Sequence, residues 1–301
     1  MRISLWGGGD AATVDDVVDR VRAAADEGFE GIWFPQTASI DALTALAVAA
    51  RQVAGIHVGT AVVPIQGRHP IPLAQQALTL ADAAGPGRVT LGVGVTHAPV
   101  SEGWYGIPYS GIVELCAEEL EALAPLLSDQ RRADATGGRI TARITLPLAV
   151  AAPGLVLAAL GPKMLDLAGR WTDGTVTWMT GVGALGRDVV PRLKEAAAAA
   201  GRGQPRVVVG LPVCVTDDVA GARERIGKAM TGAARMASYR RMVAAEGVAE
   251  PVDIALIGDA DEVGERMEAL AGAGATELLA NVIAAGDELA RTRAFLASWP
   301  S

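Results

Sequence analysis

The 301-residue sequence contains few of the side chains on which most hydrolases and lyases depend. It has three histidines, three lysines and two cysteines, and aromatic residues make up 4% of the chain. The histidines, His57, His69 and His97, stand singly, without the HxH or HExxH spacing of zinc sites, so no metal site is predicted. The sequence also lacks a GxSxG motif and a Cys/His arrangement of the kind that nucleophilic hydrolases use.

Charge and hydropathy exclude two further classes of partner. The formal net charge is −8 and no basic cluster is present, which argues against nucleic acid. No apolar run approaches the roughly 20 residues that cross a bilayer, and the amino terminus enters a predicted strand without a signal peptide. Cys116 and Cys214 lie in apolar sequence, as buried free thiols do. We expect a cytoplasmic protein that acts on a small molecule.

Strand-like runs rich in Val, Ile, Leu and Trp alternate with amphipathic helical patterns almost from the first residue. They lack polar alternation, as parallel strands covered on both faces do. Strands are predicted at 2–6, 31–35, 57–63, 88–94, 154–160, 173–178, 206–214 and 276–282. Eight such strands, most followed by a helix, predict one domain over 1–301, a (β/α)8 TIM barrel with inserted loops. A doubly wound sheet is the alternative.

Three segments interrupt the alternation of strand and helix. Residues 96–112 form a predicted loop that contains Trp104, Tyr105 and Tyr109. Residues 129–150 look like an inserted hairpin, and residues 235–253, which include Tyr239, form another extra segment. Because long loops in a barrel often bind ligands or act as lids, we expect these segments to border the site.

The predicted strand ends carry almost no charge. Glycosidases need two carboxylates there and Schiff-base aldolases need a lysine, whereas Lys163, the only lysine near a strand end, belongs to a helix start. The carboxyl ends of the strands at 31–36, 59–64, 91–97 and 157–163 should converge on one face. An apolar face of this kind suits a planar cofactor that performs the chemistry itself while the protein positions it.

Several residues on this face have both a functional and a structural interpretation. Gly161 and Pro162 either open a helix whose amides bind a phosphate or form an ordinary tight turn. His97 is either a general acid or base or a structural histidine. Gln36 can hydrogen-bond a carbonyl or ring nitrogen without bringing charge, and Trp178 is either a core residue or a pocket wall.

The order and spacing of several short motifs carry a resemblance to a known family. The motifs are TAVVP at 60–64, RHP at 68–70, LAQQ at 73–76, GRVTLGVG at 87–94, AALGP at 158–162, and AGR at 168–170 followed by DG at 173–174. Together they resemble the luciferase-like monooxygenase superfamily and, within it, the branch that uses the deazaflavin coenzyme F420. The resemblance covers nearly the whole chain.

The resemblance implies a bacterial luciferase-like barrel, commonly a homodimer, with cofactor and catalytic residues at defined positions. A non-proline cis peptide bond is expected at Thr60–Ala61, against one face of the deazaflavin. His97 is the implied catalytic residue and stands where some relatives have an acidic one. The implied cofactor-binding residues are Gln36, Thr60, Ala61, Thr96, Ala159, Leu160, Gly161, Pro162 and Trp178.

The function implied by the resemblance is that of an F420-dependent oxidoreductase. Such an enzyme transfers a hydride between the deazaflavin and a small organic substrate, and the absence of large insertions favours F420 over FMN. Two alternatives stay open, an FMN-dependent luciferase-like monooxygenase and a barrel that binds the cofactor without catalysis. Fold resemblance alone does not identify the substrate.

Overall fold

The protein folds around a closed barrel of parallel strands. The computed structural model describes residues 1–300, and of residues 233 and 234 the backbone alone. The strands are β1 (Arg2–Trp6), β2 (Gly31–Phe34), β3 (His57–Thr60), β4 (Val63–Pro64), β5 (Val89–Gly94), β6 (Arg132–Thr136), β7 (Thr141–Thr145), β8 (Gly154–Ala158), β9 (Gly174–Trp178), β10 (Arg206–Val215), β11 (Leu256–Gly258) and β12 (Glu277–Val282).

Helices cover the outside of the barrel. They are α1 (Val14–Asp26), α2 (Ala42–Gln52), α3 (Pro70–Ala84), α4 (Ala98–Gly103), α5 (Ile112–Leu126), α6 (Pro162–Trp171), α7 (Val182–Ala184), α8 (Val190–Ala199), α9 (Val219–Ala234), α10 (Ala237–Glu246), α11 (Ala260–Gly272) and α12 (Asp287–Ala297). Within residues 1–300 we find no helix with the length and apolar character needed to span a membrane.

The strand order confirms the TIM barrel and excludes the doubly wound sheet. Neighbouring strands run β10–β12–β1–β2–β3–β5–β8–β9, and β9 also pairs with β10, which closes the ring. A doubly wound sheet stays open at its edges. All eight predicted strands are present, although the run at 57–63 is divided into β3 and β4, which pairs with β5. No sequence pattern indicated β11, a three-residue strand beside the carboxyl end of β10.

Local sequence signals explain how several helices begin and end. The Thr13 hydroxyl accepts a hydrogen bond from the Asp16 amide, and the Asp16 carboxylate accepts one from the Thr13 amide, which forms a capping box for α1. Pro70 and Pro162 stand in the first turns of α3 and α6. Gly28, with a φ of 86°, follows α1 in the left-handed conformation that glycine tolerates best.

The three inserted segments contain more regular structure than the sequence indicated. The predicted loop at 96–112 includes the short helix α4, and the segment at 235–253 includes α10. The hairpin is confirmed as the antiparallel pair β6–β7. Its turn is held by the Glu118 carboxylate on α5, which accepts hydrogen bonds from the amides of Gly138, Arg139 and Ile140. A local hairpin is therefore attached to a barrel helix.

The amino-terminal end of the barrel is closed by a polar network that we call the amino-end plug. The buried Glu277 carboxylate accepts hydrogen bonds from Ser4 Oγ at 2.6 Å and Trp33 Nε1 at 3.0 Å, and Arg206 Nη2 lies 2.9 Å from its other oxygen. Arg206 Nη1 donates to Thr90 Oγ1, which lies 2.9 Å from His57 Nε2. Because Thr90 already accepts from arginine, its hydroxyl hydrogen is available to a neutral His57.

This environment predicts a pH dependence of stability. Burial lowers the pKa of His57 to about 4, with Arg206 acting in the same direction and Glu277 opposing it. Between pH 6.5 and about 4 the unfolded chain binds a proton that the folded chain does not, so the free energy of unfolding should fall as pH falls. The contribution of His57 to this slope is at most about 1.4 kcal/mol per pH unit.

The measurement is urea unfolding at pH 7.5, 6 and 5 for the wild type and His57→Asn. Above pH 6.5 the contribution of His57 to the slope is absent, so the two proteins should differ there by a constant amount. Below it, the wild type should lose stability more steeply than the variant. Parallel curves over the whole range would show that His57 titrates alike in the folded and unfolded chains.

Candidate active site

The carboxyl-terminal end of the barrel opens into a cavity of about 870 Å³. Its wall combines the ends of several barrel strands with the segment around α4 and with α10. Nine of the ten residues predicted for the site line it: Gln36, Ala61, Thr96, His97, Ala159, Leu160, Gly161, Pro162 and Trp178. The strand ends therefore converge as the sequence pattern predicts.

Thr60 is the exception, because it is fully buried one layer below the cavity. The cis peptide bond also lies one residue later than expected, between Ala61 and Val62 and not at Thr60–Ala61. The amide between Thr60 and Ala61 still belongs to the sheet, since the Ala61 N–H donates to the Phe34 carbonyl at 2.9 Å. The chain leaves the regular strand only after that hydrogen bond.

Two glycines of β5 allow this segment to lie close to the sheet. A Cβ on Gly92 would stand 1.9 Å from the Thr60 carbonyl oxygen, and a Cβ on Gly94 would stand 2.9 Å from Val62 Cγ2. Between the pairs Gly59↔Thr90 and Val63↔Val93, the chain of β3 and β4 advances four residues while β5 advances three. The extra residue forms a bulge beside the cavity, a common place for bulges.

The Thr60 side chain replaces the sheet hydrogen bonds that the bulge removes. Its hydroxyl donates to the Gly92 carbonyl at 2.8 Å and accepts from the Gly92 N–H at 2.9 Å. Ala61 and Val62 then cover β5 and present a flat apolar wall to the cavity. Thr60 thus supports this wall from below.

His97 lies at the boundary between β5 and α4 and faces the inserted helix α10. Its ring meets that of Tyr239 edge to face, with centroids 5.4 Å apart and an interplanar angle of 70°. Burial lowers the pKa of His97, so the imidazole is neutral near pH 7 and has one donor and one acceptor nitrogen. Among the described residues, neither nitrogen has a hydrogen-bond partner in the protein, and the ring lines the cavity.

Gln66 holds the segment that carries His97. Its Oε1 accepts a hydrogen bond from the Thr96 amide at 3.0 Å, and the side chain is almost fully buried. Sequence reasoning missed Gln66 because it lies in the stretch between β4 and α3, where no pattern connects it with Thr96. The contact positions the backbone immediately before His97.

Gln36 and Trp178 have different local roles. Gln36 Oε1 accepts from the Ala42 amide at 2.9 Å and its Nε2 donates to the Thr37 carbonyl at 3.3 Å, so this amide orders its own loop. Trp178 is a wall of the cavity, and its ring packs against that of Trp6 with centroids 5.2 Å apart. Trp6, at the end of β1, was not among the predicted site residues.

One end of the cavity is suited to an anion. Gly161 is the N-cap of α6, no side chain caps this helix, and its first-turn amides lack intrahelical acceptors. Lys163 lies in the same turn, and Arg241 Nη1 from α10 approaches to 3.7 Å of the position that a Cβ on Gly161 would take. Pro162 has no N–H and contributes a fixed φ instead of a donor. We call this region the anion end.

Comparison with known proteins identifies the family to which this chain belongs. A model described as luciferase-like monooxygenase matches residues 1–277. The chain belongs to the luciferase-like monooxygenase family. The resemblance seen in the sequence is therefore confirmed over residues 1–277.

Two curated relatives share part of this luciferase-like chain. A protein of Mycobacterium tuberculosis named as a coenzyme F420-dependent oxidoreductase is 29% identical over 189 residues, which cover 58% of this chain and 53% of the relative. An F420-dependent glucose-6-phosphate dehydrogenase of Beutenbergia cavernae is 31% identical over 230 residues, covering 73% of this chain and 65% of the relative. The chain thus spans less than two thirds of either relative.

Solved structures match the fold over nearly its full length. An F420-dependent secondary alcohol dehydrogenase in complex with an F420-acetone adduct has a TM-score of 0.82 at 18% identity and covers 98% of this chain and 97% of its own. The F420-dependent tetrahydromethanopterin reductase of Methanopyrus kandleri has a TM-score of 0.77 at 18% identity, with 99% and 97% covered. At this identity the likeness establishes the luciferase-like fold alone.

The hydrogen bonds between Thr60 and Gly92 predict that the Thr60 hydroxyl stabilises the fold beneath the cavity wall. Thr60→Val keeps the side-chain shape but leaves the buried N–H and carbonyl of Gly92 without the hydroxyl, so the free energy of unfolding should fall by about 1–3 kcal/mol. Thr60→Ser, which retains the hydroxyl, is the matched control and should lose less. Urea unfolding of the three proteins measures the difference; equal losses in both variants would exclude the hydroxyl as the cause.

Proposed function

We propose that the protein is a coenzyme F420-dependent oxidoreductase that transfers a hydride between the deazaflavin and a small organic substrate. The observation that carries the proposal is one cavity that combines an uncapped helix N-terminus, two cations beside it and a flat apolar wall at Ala61 and Val62. Membership of the luciferase-like monooxygenase family and the names of both curated relatives agree with it.

The residues present fit a phosphate-bearing cofactor with a planar ring. Gly161 leaves open the space that a side chain would fill, and the first-turn amides of α6, Lys163 and Arg241 would hold the phosphate. Ala61, Val62 and Trp178 would flank the ring. When bound, the deazaflavin supplies or accepts a hydride. Among the described residues that line the cavity, none is an Asp or Glu that would repel an anionic cofactor.

His97 is the proposed general acid or base of this reaction. A neutral imidazole can give a proton to a substrate oxygen from one nitrogen or accept one at the other. The lowered pKa keeps it neutral near pH 7, and its position beside Tyr239 places it inside the cavity. Gln66 would hold the backbone of the preceding residue during the transfer.

The FMN alternative is favoured by one observation, the likeness to an FMN complex. The oxygenating component of a diketocamphane monooxygenase of Pseudomonas putida, solved with FMN, has a TM-score of 0.77 at 18% identity. Because FMN also carries a phosphate, the anion end alone does not distinguish the cofactors. Titration of the purified protein with oxidised F420 and with FMN, followed by fluorescence, tests the proposal directly. Tighter binding of FMN would favour the monooxygenase, and binding of neither would contradict both.

A substitution at Gly161 tests the anion end. Gly161→Ala places a methyl group in the space proposed for the phosphate, so the Kd for F420 should rise at least fivefold. Folding should be little affected, because the new Cβ meets only Arg241 at 3.7 Å; the change at an N-cap costs at most about 1 kcal/mol. Gly203→Ala, in a loop with open space around it, is the control and should bind F420 like the wild type.

A substitution at His97 tests the proposed proton transfer. His97→Ala should lower turnover by about 100-fold or more, since general acid–base catalysis contributes at least that much. The Kd for F420 should change less than threefold, because the cofactor phosphate lies at the anion end. Steady-state kinetics with any substrate that oxidises reduced F420, together with the fluorescence titration, gives both values. Equal losses in turnover and affinity would reject a catalytic role.

A further inference from the structure

The cavity has a second end that differs in character from the anion end. It is formed by the segment around α4 and by α10, and we call it the aromatic end. Its residues are Val100, Trp104, Tyr105, Tyr109, Ile112 and Val113, together with Tyr239. Among the described residues that line the cavity, Lys163 and Arg241 are the only lysine and arginine, and both adjoin Gly161. The other side chains that line the aromatic end therefore carry no fixed charge, although Arg241 stands two residues from Tyr239 on α10 and the Glu102 carboxylate accepts a hydrogen bond from the Tyr109 amide at 3.1 Å.

Tyr239 and His97 are the polar groups that meet at this end. The Tyr239 side chain is half-buried, and within the described part of the chain its hydroxyl has no hydrogen-bond partner. Burial raises the pKa of Tyr239 to about 12, with a contribution from Tyr109, so the phenol stays protonated and can donate. His97 is neutral for the same reason, desolvation. Two uncharged groups thus face one apolar space.

Contacts at the carboxyl-terminal end of α10 hold the helix that carries Tyr239. The Glu246 carboxylate accepts hydrogen bonds from the amides of Gly183 at 3.0 Å and Ala184 at 2.8 Å, at the start of α7. Arg187 Nη2 donates to the Ala245 carbonyl at 2.6 Å. These contacts attach the carboxyl-terminal turn of α10 to the barrel, so the preceding turns are held over the cavity. The inserted segment that contains α10 is therefore attached to the barrel and forms part of the cavity wall.

We propose that Tyr239 is a substrate-binding residue and that the aromatic end takes an uncharged, ring-bearing molecule whose single carbonyl or hydroxyl oxygen is hydrogen-bonded by Tyr239 and His97. An anionic group placed between the half-buried Tyr239 and His97 would lose part of its hydration while its hydrogen-bond partners there are both uncharged, which is costly. The apolar rings of Trp104, Tyr105 and Tyr109 provide the contact surface for the rest of the ligand. The substrate class rests on the proposed function, whereas ligand binding itself can be measured without turnover.

The test uses three fluorinated probes of similar size and fluorine NMR as the readout, with the full-length protein both free and saturated with F420. The probes are para-fluoroacetophenone, para-fluorobenzoate and para-fluoroethylbenzene. With the anion end occupied, by F420 or by saturating inorganic phosphate, the ketone should bind at least tenfold more tightly than the benzoate. Tyr239→Phe, which keeps the ring against His97, should weaken the ketone about fivefold to tenfold, the effect of one hydrogen bond, and leave the ethylbenzene unchanged.

Each outcome has a defined meaning. Benzoate binding as tight as the ketone while F420 or phosphate occupies the anion end, or no ketone binding in either state of the protein, would overturn the uncharged ligand class. An equal effect of Tyr239→Phe on ketone and ethylbenzene would overturn the role of the hydroxyl. If the protein selects the ketone through Tyr239 but does not bind F420, this inference stands and the proposed cofactor fails. If F420 binds and the ketone does not, the proposed cofactor stands and this inference fails.

Discussion

The close approach of residues 60–62 to β5 is the constraint on which the candidate site depends. It requires that Gly92 have no side chain, because a Cβ there would fall 1.9 Å from the Thr60 carbonyl oxygen. Because that space is free, the Thr60 hydroxyl can hydrogen-bond both the N–H and the carbonyl of Gly92. The chain then passes over the sheet at Ala61 and Val62. The result is a wall of backbone and small side chains, against which a planar molecule can lie.

The two ends of the barrel differ in polarity: the amino end contains a network of charged and polar side chains, and the carboxyl end is mostly apolar. At the amino end, Glu277 and Arg206 lie inside the strands and have their hydrogen bonds supplied by Ser4, Trp33 and Thr90. The Glu277 side chain is buried and that of Arg206 is 27% exposed, and a carboxylate in this position is tolerable only when its hydrogen-bond acceptors are paired. At the carboxyl end the cavity wall is mostly apolar, and Lys163 and Arg241, beside the start of α6, are the only lysine and arginine among the described residues that line it. Few charged side chains are thus present in the cavity wall.

How much of the site could be predicted differs from residue to residue. The strand ends, the glycines of β5 and the turn at Gly161 have local signals, and the structure brings nine of the ten predicted residues to the cavity. Thr60 was misplaced because the sequence does not show which peptide bond leaves the sheet. Gln66, Trp6 and Arg241 were missed, and Tyr239 was noticed only as an aromatic residue in an inserted segment. Their partners are distant in sequence, so no spacing connects them.

Local patterns in the chain account for the alternation of strands and helices, the helix caps and the near absence of charge at the strand ends. These properties depend on hydrophobic periodicity and on hydrogen bonds between residues a few positions apart. The position of the cis bond at Ala61–Val62, the contact of Tyr239 with His97 and the approach of Arg241 to Gly161 depend instead on the packing of distant segments. Those contacts exist because barrel closure and the attachment of α10 through Glu246 bring remote segments together, and neither leaves a local pattern in the chain.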